Sequence, residues 1–532
     1  MTPGEQFQSV TSWDHFEVTA QDLQFLYNVL LEKERPGDIE TLASALISSR
    51  IEAEQQVLEA ASARRGHVYR PADSYETGER VLFPLFDWRS GEVVAVRPGH
   101  NPELSKFSVI DVQMDGGETR SFAAALPDHK LNSAPLPAAP GQGQPLSAAE
   151  VSAKYGASVR ATLEQALSKS PELVRFGEKW FLRALLANIG PGQLNLAEAA
   201  LEVAQGGPLT TAEILDQIEI PGKENRELLE FSMSMAMLED GRFDEVGQPG
   251  NPLWFLERME PEPVRSKPAQ LVCDVKLGDD PRVAELEGEL DPEVQDELEP
   301  ALSQSPGDEV ALALIYPHWR LGTIPLTDAV LQLLGATTDV DKDKSLISVT
   351  DENSGQRFLV WLLPQQRYLY GLSDWYSSND LIPGSVIRLR AGEAPGELRL
   401  SANPRRPTRE WIKTVLTSAG DSIEINLQRY SLSTEVDERM AYFVADAEAQ
   451  DQTWSTWQEH RTLQQAIRFV ARELVKLSPQ AQIHLLEIYA GVNLLRRCPP
   501  GAVIATLLDS NWASYLGDLY FRFGFPDEAR DE

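Results

Sequence analysis

The chain has 532 residues, 42% of them hydrophobic, and a formal net charge of −33. That length leaves room for roughly three to five domains, and the eleven Trp exclude general disorder as a description of the whole. The charge argues against indiscriminate binding to nucleic acid, although acidic residues elsewhere can hide a basic face on one module. Cys273 and Cys498 are the only cysteines and the seven His form no ligand-spaced cluster, so no disulfide framework, metal site or cofactor is expected. No apolar run is long enough to span a bilayer. The opening MTPGEQFQSV lacks a basic, then apolar, secretory pattern, so a soluble cytoplasmic protein without membrane contact is expected.

In chain order, residues 1–64 form a helical region. VTAQDLQFLYNVLLEKE carries apolar residues at helical spacing behind Thr19 as N-cap, Pro36-Gly37 breaks it, and a second helix follows from about Asp38 to Ala63. Over 67–133 the pattern alternates in strand fashion, with turns at Arg89-Ser90-Gly91 and Asp115-Gly116-Gly117. This stretch resembles the small SH3-like barrels of transcription factors. PLPAAPGQGQPLS is a linker. Residues 149–190 hold a helical segment and a hairpin, FGEKWFLRAL. Residues 191–259 supply three helices and then two strands, RFDEV and PLWFLERM, around a Gly-Gln-Pro-Gly-Asn-Pro tip. Thr210 or Thr211 caps the short second helix and Gly206-Gly207 stops the first. Residues 260–308, rich in Glu, Asp and Pro, suggest an acidic, solvated linker. Strands return over 309–403, and 404–532 is a mixed C-terminal domain, helical after about His460, that ends on LGDLYFRF.

Three helices followed by a two-stranded hairpin is the order of a winged helix, so the three aromatic endings are candidate wings, each with a glycine for the turn. Carried by TTAEILDQI as a second helix and by the wings Gly177–Arg183, Gly247–Arg258 and Gly517–Arg522, these units resemble winged helices of the HARE-HTH type, which include the N-terminal domain of the RNA polymerase delta subunit. The resemblance implies DNA or RNA polymerase as partner. The third helix of the middle unit is acidic (Glu224, Glu227, Glu230, Glu239, Asp240), which favours a protein-contact or spacing role for that copy. The 149–190 copy, with Lys154, Arg160 and Lys169, is the better DNA candidate.

Residues 322–391 run strand, short helix LTDAVLQLLG, strands SLISVTD and QRFLVWLL, another strand, helix SDWYSSND, and a closing strand SVIRLR. With Ile324-Pro325, Arg357, Arg367-Tyr368-Leu369, Gly371, Trp375, Leu381 and Pro383-Gly384, this order resembles the DNA-binding pseudobarrel of plant auxin-response factors and of some bacterial restriction enzymes. Ser385 replaces the acid that family usually has at its last turn. The resemblance implies two loops that enter the major groove: Pro317-His318-Trp319-Arg320 and Gln365-Gln366-Arg367, with Arg357 on the central strand. Arginine can pair with guanine and glutamine with adenine. Downstream, PRRPTREWIK adds Arg405, Arg406, Arg409 and Lys413 as a phosphate-contacting run.

No phosphate loop, Gly-x-Ser-x-Gly elbow or His-Glu-x-x-His motif is present. DVDKDK fails as a calcium loop, because Lys344 stands at the glycine position and Thr350 at the bidentate acid. VCDVKL has the Asp-x-Lys spacing of metal-dependent nucleases, in Asp274 and Lys276, but the candidates for the required second acid, Glu260 and Glu262, sit in a Pro-rich linker, and ordinary surface residues are expected. The expectation is an α+β multidomain, non-enzymatic protein in transcription-associated, DNA-linked regulation, with double-stranded DNA as candidate partner. The alternatives are an RNA-polymerase-associated scaffold and a recognition subunit of a restriction or defence system.

Overall fold

A computed structural model describes residues 13–525 apart from 66, 87, 102–105, 133–146, 219–224, 276–277, 279, 300–306, 336–341, 395 and 418–421. The fold is mixed α+β. It divides into two compact units: residues 1–188 with 222–232, and residues 189–221 with 233–532. No helix among the described residues is long and apolar enough to cross a membrane.

In the first unit, helix Ala20–Lys33 begins at a capping box in which Thr19 and Asp22 satisfy each other's backbone N–H groups. Strand Gly37–Asp38 and helix Ile39–Arg65 follow. Helix Ala148–Ser168, capped by Ser147 and Glu150, leads to a hairpin of Leu173–Phe176 and Lys179–Leu182. The return strand of that hairpin pairs with Gly37–Asp38. Between the second and third helices the chain makes a separate five-stranded sheet from His67–Val68, Arg80–Phe83, Arg89–Pro98, Ser108–Met114 and Thr119–Ala124, paired in sequence order. Its core is Val81, Phe83, Val93, Ile110 and Val112.

The same element order recurs twice. Helices Pro191–Val203, Thr211–Gln217 and Arg226–Leu238 precede the hairpin Phe243–Glu245 and Trp254–Leu256, and Leu209 bridges Trp254. Helix Leu463–Val475, strand Gln482–His484, helices Leu485–Val492 and Pro500–Leu508, and hairpin Ala513–Gly517 with Tyr520–Phe523 form the third copy. There too the return strand lies between its hairpin partner and the early short strand. Gly177 and Gly517 hold the positive φ that the sequence assigned to them. In the middle hairpin Gly250 has that role. Gly247 is needed instead because the Asn251 carbonyl occupies the space a Cβ would take.

A seven-stranded sheet orders its strands Glu309–Ala313, Val386–Ala391, Leu398–Ala402, Ser345–Asp351, Arg357–Leu363, Tyr368–Tyr370 and Thr323–Pro325, curled into a half-barrel. Only Ser345–Asp351 and Leu398–Ala402 run parallel. Helices Asp328–Leu334 and Ser373–Ser378 close over its apolar side. From Leu398–Ala402 the chain continues into a long ribbon, Pro404–Thr417 paired with Ile423–Thr434.

The acidic segment is not a solvated spacer over its described part. Helices Glu262–Arg265 and Pro281–Glu287 bury Val264, Val283 and Leu286, and Leu290 and Val294 share a core with the third repeat and the base of the ribbon. The chain is Glu- and Asp-rich here, yet its spaced apolar residues have core to cover. For the same reason 404–532 is no separate core: Val415, Ile423 and Ile425 join Val283, Leu286, Ala313, Ile315 and Tyr316 in one cluster.

Candidate nucleic-acid interface

The ribbon's hydrogen-bond register decides what it shows to solvent. Side chains alternate across a strand, so cross-strand partners share a face. One face carries the pairs Arg409 with Ser431, Trp411 with Arg429, Lys413 with Leu427 and Val415 with Ile425. At its base, Val415 and Ile425 are buried. Toward the far end the same face opens: Leu427 is 44% exposed and Trp411 64%, with the Arg429 guanidinium 5.5 Å from the indole centroid. The opposite face is anchored by Ile412 and Leu432 in a small core and by Tyr430 stacked on Phe443 at 4.1 Å.

Arg405 and Arg406 lie in the irregular stretch between the Pro404 and Thr408 pairs, both exposed. Arg405, Arg406, Arg409 and Arg429 have no carboxylate within ion-pair distance among the described residues, in a chain that carries 33 more negative than positive side chains. Arg429 and Arg409 flank the exposed Trp411, and Arg405 and Arg406 add two exposed guanidiniums further along the same strand, a cationic, aromatic ribbon surface. Lys413 does not belong to it. It is 8% exposed, donates to the Glu438 carbonyl at 3.2 Å, lies 3.4 Å from Glu487 and covers the Tyr442 ring; burial pulls its pKa down. Its position on the strand, one pair closer to the core than Trp411, turns a candidate phosphate contact into a core cation.

The two groove-entering loops expected from the pseudobarrel resemblance are not free arms. Pro317-His318-Trp319-Arg320 falls in a helix, Tyr316–Leu321, with proline in its first turn and Gly322 in the left-handed region at its end. His318 is 1% exposed and lies between Thr323 Oγ1 at 2.8 Å and Glu297 Oε2 at 3.1 Å. Trp319 donates its indole N–H to the Leu381 carbonyl at 2.7 Å, and Arg320 is held by Asp451 at 2.8 Å. The second loop is likewise tied down. Gln365 bonds Asp343, Gln366 donates to the Val264 carbonyl at 3.3 Å, and Arg367, with φ +63°, pairs with Asp328 at 3.0 Å. Arg357 alone of this group is exposed without an ion pair among the described residues, at the start of its strand opposite Thr350.

His318 opens onto a buried charge cluster. Arg497, fully buried, donates to both Asp296 oxygens, at 2.9 and 2.5 Å, and lies 3.0 Å from Glu297. Burial discourages charge on Arg497 and Glu297, but their charged neighbours win: Asp296 and then Glu297 hold the guanidinium pKa well above its ordinary value, and Arg497 with His318 holds the Glu297 carboxyl well below. Tyr489 donates to Asp296 at 2.7 Å. Glu299 behaves oppositely. Burial, with Asp296 and Glu287 nearby, pushes it up to about 8, although the Gly501 N–H donates to it at 2.9 Å. Asp274, half of the Asp-x-Lys spacing, is paired with Arg496 at 2.5 Å, and Lys276 lies outside the described residues. Lys344 is fixed between Asp244 at 2.6 Å and Glu260 at 2.7 Å.

The repeated units differ in what they leave open. Helix Pro500–Leu508 buries Ala502, Val503, Ile504 and Leu507. The middle hairpin docks on the seven-stranded sheet, with Val246 O accepting from Leu346 N at 2.6 Å and Gln248 Nε2 donating to Ser345 Oγ at 2.9 Å. In the first copy the third helix and hairpin tip expose Lys154, Lys169 and Lys179. Arg175 is neutralised by Glu164 at 2.5 Å, and Arg160 stands 4.0 Å from Glu40.

Comparisons with family models, with curated proteins and with solved structures give no match. Trp411 and Arg429 were not among the residues expected from sequence. Trp411 sits inside the basic run PRRPTREWIK, where its exposure is invisible. Arg429 is on the other strand, and only the alternation of EINLQRYSLST could have aligned it.

Proposed function

We propose that this is a non-enzymatic, DNA-linked regulatory protein, transcription-associated, that touches DNA with the exposed face of the 404–434 ribbon. The observation that carries the reading is the exposed ribbon strand that carries Arg405, Arg406, Arg409 and Trp411, with Arg429 opposite, its arginines without an ion pair among the described residues. A two-stranded ribbon is narrow enough to approach a nucleic acid, and guanidiniums are suited to phosphate. In this reading the three repeats are winged helices, the seven-stranded sheet is a pseudobarrel serving as platform, and only the first repeat adds a second, weaker basic face.

The test is low-salt binding of a random duplex library and of its separated strands to the full chain. Reversing Arg405, Arg406 and Arg409 to Glu should lower affinity at least tenfold without changing the melting temperature. Absence of binding to every probe, or binding indifferent to the reversal, sinks the reading. A scaffold associated with RNA polymerase is the second reading, favoured by the covered third helix of the last repeat and the docked hairpin of the middle one. It predicts stable copurification with polymerase in the absence of DNA.

A further inference from the structure

We infer that the ribbon binds single-stranded nucleic acid in preference to duplex, with Trp411 as the stacking platform for an unpaired base. The inference rests on the DNA-contact reading and specifies its substrate. Trp411 is 64% exposed, beyond the point where its face of the ribbon enters the core, and packing does not account for a tryptophan there. The Arg429 guanidinium lies over one face of the ring, 5.5 Å from its centroid, which leaves the other face for a base, and Arg409 precedes Trp411 on the same face of the ribbon. Leu427, next along that face, is 44% exposed and extends the apolar strip. A base has an apolar π-face and a phosphate on each side, which matches an indole flanked by guanidiniums. In an intact duplex those faces are already stacked. An indole could reach them only by prying a base step apart, at a cost of a few kcal/mol per step. Four cations are also few for a duplex, whose charge density the acidic remainder of this chain repels more strongly than that of a single strand.

The experiment measures fluorescence anisotropy of the full chain with one labelled mixed-sequence oligodeoxynucleotide, its blunt duplex, and the matching oligoribonucleotide, at low salt. The expected result is single-strand binding at least tenfold tighter than duplex binding. W411A should remove roughly tenfold or more of single-strand affinity and lower duplex affinity several-fold less, whereas W411F, which keeps an aromatic face, should recover much of the single-strand loss. Melting curves of the variants exclude a folding defect, as expected at so exposed a site. The ribo and deoxy arms tell RNA from DNA as the natural strand. Duplex bound as tightly as single strand, or W411A without effect on single strands, overturns the inference and leaves ribbon contact with DNA standing. No binding to any of the three probes brings down both.

Discussion

Gly501 stands where two carboxylates meet a backbone N–H. A Cβ there would overlap the Glu287 and Glu299 oxygens, so Gly501→Ala should destabilise the second unit by about 1–3 kcal/mol, the range for overpacking, seen as a lower denaturation midpoint. Glu299 also sets a pH dependence. Its folded pKa, about 8, lies above the ordinary 4.5, so between those values the folded chain holds a proton that the unfolded chain has lost. This group's contribution to stability is full below about 4.5 and falls as pH rises through about 8. Glu299→Gln should therefore flatten the decline in melting temperature across that window; an unchanged profile would show that Glu299 is ionised in the fold. Arg497→Ala leaves Asp296 and Glu297 buried without the guanidinium that balances their charge, and should cost about 3–5 kcal/mol in chemical denaturation. None of these partnerships was legible in the sequence, because Asp296 and Glu299 find their partners some two hundred positions away and composition alone makes such acids look solvated.

At the level of elements, the middle hairpin is a docking strut. Phe255 meets Trp361 edge to face at 5.2 Å, Lys342 bonds Glu245 at 2.7 Å, and burial drives Glu260 up to about 7 against the pull of Lys344. A double-mutant cycle over Phe255→Ala and Trp361→Ala should show a coupling of about 0.5–1.5 kcal/mol; additive effects would mean that the hairpin does not lean on the sheet. The three hairpins were readable from FGEKWFLRAL, PLWFLERM and LGDLYFRF because each turn, its glycine and its aromatics are local. The short strands they pair with were not. Gly37–Asp38 and Gln482–His484 are two and three residues long, and only the distant return strand makes them strands. The same lack of locality hid the helix over Tyr316–Leu321, whose residues matched a loop pattern but whose surroundings bury them.

Across the whole molecule, the excess of 33 negative side chains makes any nucleic-acid contact sensitive to ionic strength. If the four ribbon arginines each neutralise one phosphate, the logarithm of single-strand affinity should fall with the logarithm of salt at a slope of about −3. A slope near zero would show that these arginines do not meet phosphates. The broad α+β character and the strand-rich middle were visible in alternation and turn residues. The division into two units was not, since residues 222–232 group with the first unit while their neighbours belong to the second. The five-stranded sheet set between the second and third helices of the first repeat has a temporal consequence. The ribosome synthesises that whole sheet before it reaches helix Ala148–Ser168. The earlier helices thus precede their third partner by the length of the sheet, and the sheet, once folded, brings its two ends together and shortens the chain closure that remains.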